Sequence, residues 1–221
     1  MRRHIVCVGD SNTHGYCADP ADCADGPLLR FNEEERWTCL LQRALGEEYL
    51  VLEEGLSGRT TVFDDPLYEG LAALDYIYPC LKSHEPVSLL IIMLGTNDTK
   101  EHFCANAPCI ARGMERLLGR AKAVDCWGPS GRPNILVVAP PVIDPRVEAG
   151  TAADWMGRGC AEKSRQLPPL LAETAHRCGC HFVDAGGCEF NQLDYMHLTR
   201  RGHAQLAQLL AQQVPTLLAD Q

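Results

Sequence analysis

Leu89-Leu90-Ile91-Ile92-Met93-Leu94-Gly95-Thr96-Asn97-Asp98 runs as six apolar residues and then breaks abruptly into small and polar ones. The apolar part does not alternate. A strand with one wet face alternates with period two, so an unbroken run signals a strand covered on both faces, as in a parallel sheet between helices. Four further β-rich runs flank it: Ile5–Val8, Tyr49–Leu52, Ile135–Ala139 and His181–Val183. Helical patterns lie between them. Glu34–Leu45 places Trp37, Leu40, Leu41 and Leu45 at helical spacing, with Trp37 assigned to the core. Ala107–Val124 and Ala161–Arg177 are further helices, the second crossed by Pro168 and Pro169, which weaken it. A last helix starts near Thr199, a favoured N-cap type, and runs to about Val214. The alternation predicts a five-stranded parallel sheet between helix layers, in a single domain, 1–221.

The bulk composition sets limits on function. The chain has 221 residues, 46% apolar and 22% charged, which excludes disordered and fibrous classes. Its formal net charge of -9 argues against a nucleic-acid partner, since phosphate recognition needs clustered Lys and Arg. The longest uncharged stretches, Pro86–Asn97 and Pro133–Ile143, fall short of the roughly 20 apolar residues a spanning helix requires, so no membrane partner is expected. Twelve cysteines are present, none at C-x-x-C spacing, and the N-terminal apolar run ends at Asp10. Free thiols in a reducing cytoplasm are the simplest account. The tightest Cys/His cluster is Cys178, Cys180 and His181; it is not read as a metal site, and no metal or cofactor is expected.

In open parallel sheets, ligands sit outside the carboxyl ends of the strands. The first run ends in Gly9-Asp10-Ser11-Asn12. A serine directly behind a strand and a small glycine sits at a strand-to-helix turn with its hydroxyl exposed, as an acyl-transfer nucleophile must be. An N-cap serine would look the same. The G-x-S-x-G elbow of α/β-hydrolases is absent. The last run is followed by Asp194-Tyr195-Met196-His197. Histidine can take the serine proton, and a carboxylate three residues earlier can orient it. D-x-x-H alone is a weak motif; its position after the last strand gives it weight. Asn97 follows the third run and Gly58 the second. An Asn amide and an unobstructed backbone N–H can both donate to an oxyanion, although an Asx-turn and a turn glycine are the plainer readings of each.

Four such blocks arriving in this order at the strand ends resemble the SGNH (GDSL) hydrolase superfamily. The stretches Glu53-Glu54-Gly55-Leu56-Ser57-Gly58-Arg59-Thr60-Thr61, Asp64-Asp65-Pro66 and Ile91–Lys100 resemble its arylesterase and acyltransferase branch more closely. The resemblance implies a flavodoxin-like three-layer α/β/α sandwich and metal-free ester hydrolysis. It implies Ser11 as nucleophile, Asp194 and His197 as its triad partners, and Ser11, Gly58 and Asn97 as oxyanion donors. Asn12 departs from the Leu of the motif's name, and is expected to alter packing or the pocket wall. Asp10 is assigned a supporting role through backbone hydrogen bonds. Arg59 is expected in a structural ion pair or on a substrate carboxylate. Trp155, Met156, Phe31 and Phe63 lie in or near the irregular stretches Tyr16–Asn32 and Val142–Gly159, and are expected to lend the rim an apolar surface.

The function this predicts is a serine esterase for small acyl or aryl esters, with transfer to alcohols as an extension. A carbohydrate O-acetyl esterase is the alternative within the same chemistry. The alternative of another class is a non-catalytic flavodoxin-like small-ligand binder, but neither G-x-G-x-x-G nor a P-loop occurs. The partner is a small-molecule ester; a homo-oligomer is compatible with the sequence.

Overall fold

The computed structural model describes residues 2–26 and 29–219. The strands are β1 (Arg3–Gly9), β2 (Tyr49–Gly55), β3 (Val87–Met93), β4 (Ile135–Ala139) and β5 (His181–Asp184). The helices are α1 (Ser11–His14), α2 (Trp37–Leu45), α3 (Ala73–Ser83), α4 (Ala107–Lys122), α5 (Ala153–Met156), α6 (Cys160–Arg177) and α7 (Arg200–Leu218). All five strands are parallel and lie in the order β2-β1-β3-β4-β5.

The unbroken apolar runs have a direct explanation. Alternate residues of a strand enter opposite faces. Val6, Val8, Leu90 and Ile92 pack under α3, α4 and α6, while Ile5, Cys7, Leu89 and Ile91 pack under α2 and α7. Both faces are therefore core. Trimming one such fully buried Ile or Leu to Ala costs about 2–5 kcal/mol.

Register sets the site. Gly9 pairs with Gly55 on one side and with Met93 on the other, so β1, β2 and β3 end level. The chain reverses direction across the sheet at β1, leaving a crevice between β1 and β3. The loops carrying Ser11, Gly58 and Asn97 all leave from that edge.

Several boundaries differ from the sequence reading. α3 was implied by the alternation but given no range; Pro79 interrupts its pattern, while Ala73, Ile77, Cys80 and Leu81 form its buried stripe. Pro168 and Pro169 do not break α6, because Leu167 and Leu171 on either side are fully buried. Pro215 does not end α7 near Val214. Leu218 is buried, its carbonyl accepts from Arg3 Nη1 at 2.8 Å, and the Leu217 carbonyl accepts from Asn134 Nδ2 at 2.9 Å. Trp37 is core, and Thr199 Oγ1 caps α7 by accepting the Gly202 N–H at 3.0 Å. All twelve cysteines are free, and no helix among the described residues is long and apolar enough to cross a membrane.

Candidate active site

Ser11 is the first residue of α1, a single turn opened by Asp10 and closed by Gly15. Asp10 Oδ1 accepts the Asn12 N–H at 3.0 Å. The turn lies directly on β2: a Cβ at Gly55 would stand 2.2 Å from His14 N, so only glycine allows this approach. Gly58, at φ +86°, holds the left-handed backbone of the second loop.

Ser11 Oγ lies 2.7 Å from His197 Nε2, and His197 Nδ1 lies 2.6 Å from Asp194 Oδ2. The three side chains form one buried line. Burial opposes ionisation of Asp194, but the hydrogen bond and charge of His197, with the Asn191 amide, outweigh it and hold the carboxyl below its ordinary value. Asn191 sets the turn: its Nδ2 donates to Asp194 Oδ1 at 2.7 Å and to the His197 carbonyl at 2.9 Å, and its Oδ1 accepts the Asp194 N–H at 2.9 Å. Sequence reasoning missed Asn191. The only signal was an amide three residues before the Asp, which also describes an ordinary Asx-turn.

The other expected residues gather at the same edge. Asn97 Nδ2 donates to the Arg59 carbonyl at 3.2 Å, next to Gly58, which leaves its second amide hydrogen available. Among the described residues, neither the Ser11 nor the Gly58 N–H is spent on another group of the chain. Asp98 ties the third loop to the second, accepting the Thr61 N–H at 3.0 Å and the Thr61 hydroxyl. Beneath Ser11, burial pushes the Asp10 carboxyl up to about 6, against the pull of the Asn12 N–H and His197. Burial likewise carries Asp98 to about 6.

Asn12 is buried, not part of an open wall. Its Oδ1 accepts the Leu198 N–H at 2.9 Å and its Nδ2 reaches the Met196 carbonyl at 3.4 Å, so it grips the chain on both sides of His197. Arg59 is buried, and among the described residues no carboxylate lies within ion-pair distance of it. Its guanidinium donates to the Gly9 carbonyl at 3.3 Å and to the Glu54 carbonyl, and lies 4.7 Å over the Tyr76 ring. It thereby ties the ends of β1 and β2 together.

Of the four residues expected to make the rim apolar, Phe31 and Met156 are buried and Phe63 packs against the core; Trp155, 43% exposed, remains. Its ring stacks near His197 at 6.5 Å, and the Tyr16 ring lies tilted 4.7 Å from the same imidazole. Among the described residues, Cys178, Cys180 and His181 form no group within metal-ligand reach, whereas Glu54, Cys80 and His84 do.

A 2-1-3-4-5 parallel sheet with helices on both faces and this set of loops at its carboxyl edge is the fold of the SGNH hydrolases. The chain belongs to the GDSL-like lipase/acylhydrolase family, whose profile matches residues 7–205, and is by class a carboxylic ester hydrolase. It is similar to a carbohydrate acetylesterase from Sinorhizobium meliloti: 37% identity, TM-score 0.84, covering 98% of this chain and 100% of that one. It is also similar to the native aryl esterase of M. smegmatis: 36% identity, TM-score 0.87, covering 98% and 100%. A lipase/acylhydrolase from Enterococcus faecalis, at 18% identity and TM-score 0.68, covering 97% of this chain and 96% of that one, shares the fold. No curated protein sequence matches the chain.

Proposed function

We propose that the protein is a serine esterase for small acyl and aryl esters, with Ser11 as nucleophile, His197 as base and Asp194 as orienting carboxylate. The observation that supports this reading is the Ser11–His197–Asp194 line, at 2.7 and 2.6 Å.

His197 Nε2 takes the Ser11 hydroxyl proton as Oγ attacks the ester carbonyl. Asp194, accepting from Nδ1, fixes the tautomer and steadies the imidazolium. The Ser11 N–H, Gly58 N–H and second Asn97 amide hydrogen donate to the tetrahedral oxyanion. Collapse expels the alcohol, which leaves with the proton from His197. Water then gives its proton to His197 and attacks the acyl-enzyme, and the acid departs as Ser11 recovers its proton. No step draws on a metal ion.

Carbohydrate O-acetyl esters are the second reading, favoured by the likeness to the S. meliloti acetylesterase, about as strong as that to the aryl esterase. Transfer to alcohols is a third outcome of the same acyl-enzyme, supported by the aromatic faces of Tyr16 and Trp155 beside His197. A panel of p-nitrophenyl acetate, phenyl acetate and acetylated xylo-oligosaccharides, compared by kcat/KM, separates the substrate classes. The aryl reading requires the first two to lead. Turnover of none of them at any pH between about 6 and 9 would leave a non-catalytic binder.

A further inference from the structure

Cys80 and His84 stand one helical turn apart, on α3 and at its C-terminal cap, and so share a face. Glu54, near the carboxyl end of β2, meets that face through its side chain. One ligand atom from each residue, a carboxylate oxygen, a thiol sulfur and an imidazole nitrogen, lies within 4.8 Å of the other two. The esterase chemistry uses none of the three.

We propose that Glu54, Cys80 and His84 form a binding site for a divalent transition-metal ion, with Zn²⁺ the best match, that braces α3 against β2. The donor set decides the ion. Sulfur and nitrogen exclude Mg²⁺ and Ca²⁺, which take oxygen shells, while one S, one N and one O are a zinc set with a fourth position for water. Burial is graded to suit this. Cys80 is buried at the base of the site, whereas the Glu54 and His84 side chains keep 20% and 24% exposure, leaving a route for the ion and its water.

An outer contact orients the Glu54 carboxylate, as metal sites require, and a second one anchors the backbone of His84. Tyr76, one turn before Cys80, donates its hydroxyl to Glu54 Oε2 at 2.6 Å, and the His84 carbonyl accepts from His4 Nδ1 at 2.8 Å. Glu54 Oε1 and His84 Nε2 now share a hydrogen bond at 2.6 Å. In a tetrahedral shell with bonds of about 2.0 Å they would stand roughly 3.3 Å apart, so seating the ion opens the pair by less than about 1 Å. Binding displaces the Cys80 thiol proton to buffer, and His84 ligates as the neutral imidazole. The bound thiolate and carboxylate then balance the two positive charges of the ion.

The test uses the full chain, reduced, stripped with chelator and moved into chelator-free buffer. Titration with Co²⁺ is expected to give a thiolate-to-cobalt charge-transfer band that saturates at one equivalent, and Zn²⁺ to displace it one for one. The band is expected to vanish in Cys80→Ser and to persist in the Cys178→Ser/Cys180→Ser double variant. Glu54→Gln and His84→Gln are each expected to weaken Zn²⁺ binding by at least about tenfold. Zn²⁺ is expected to raise the thermal midpoint of the wild type. No band in the wild type, or a band that survives Cys80→Ser, overturns the proposal. Should Cys80→Ser lose its native circular dichroism, His84→Gln, at a half-exposed position, carries the test, and wild-type affinity there overturns it.

Discussion

Asn12 accepts the Leu198 N–H at 2.9 Å across 186 residues of chain, joining the turn that holds Ser11 to the loop that holds His197. With the longer contact to the Met196 carbonyl, it fixes the imidazole loop on both sides of the ring. Asn12→Leu, which restores the motif's usual residue, leaves the buried Leu198 N–H unpaired at about 1–3 kcal/mol. A lower urea midpoint is expected, with kcat reduced by about 10- to 100-fold through misplacement of the proposed base, His197. An unchanged kcat would show that the loop holds itself.

Ser11→Ala is expected to abolish ester hydrolysis while the thermal midpoint and circular dichroism stay those of the wild type. A fluorophosphonate probe should modify the wild type at Ser11 alone, as read by peptide mass. Modification at another serine, or residual turnover equal to the wild type, would remove Ser11 from the chemistry.

Asn97→Ala removes one proposed oxyanion donor and frees the Arg59 carbonyl beside Gly58. A loss of about 10²–10³ in kcat is expected, with a smaller change in KM. Steady-state kinetics with chemistry shown to limit the rate checks this; loss confined to KM would assign Asn97 to ground-state binding instead.

Burial raises the Asp10 carboxyl from 3.8 to about 6, so the folded chain holds this proton more tightly than the unfolded chain. Its contribution is therefore fully present below about pH 4 and withdrawn as pH rises toward 6 and beyond, by up to about 3 kcal/mol. Asn cannot ionise. The stability of Asp10→Asn relative to the wild type is expected to rise across that window, measured as urea midpoints at about pH 4.5 and about pH 8. A difference that does not change with pH would mean that Asp10 ionises without penalty.

Tyr16 and Trp155 lie beside His197, with which, on the proposed mechanism, a leaving or incoming alcohol exchanges its proton. With vinyl acetate and benzyl alcohol in water, benzyl acetate is expected at a product ratio above the molar ratio of alcohol to water. Trp155→Ala should lower that ratio more than it lowers hydrolysis. A ratio equal to the concentration ratio in the wild type would leave hydrolysis as the sole fate of the acyl-enzyme.

The five strands and the blocks at their ends were legible because each is local. A two-sided strand must be apolar at every position, as in Leu89–Leu94, and the residues that follow it must be small or polar to leave the sheet. Helix ends were less legible where proline stood inside, at Pro79, Pro168 and Pro215, because packing on both sides of the ring outweighed local propensity.

The sequence by itself determined the parallel sheet, the order of its strand ends and the residue types gathered there. Only the tertiary structure decided which partner each of them meets. It turned Arg59 inward onto the Gly9 and Glu54 carbonyls, made Asn12 a link to Leu198, set Asn191 behind Asp194, and brought Glu54 to Cys80 and His84. Periodicity and propensity are properties of neighbours along the chain. A hydrogen bond between residues far apart in sequence depends on strand register and helix packing, which arise only when the whole core closes.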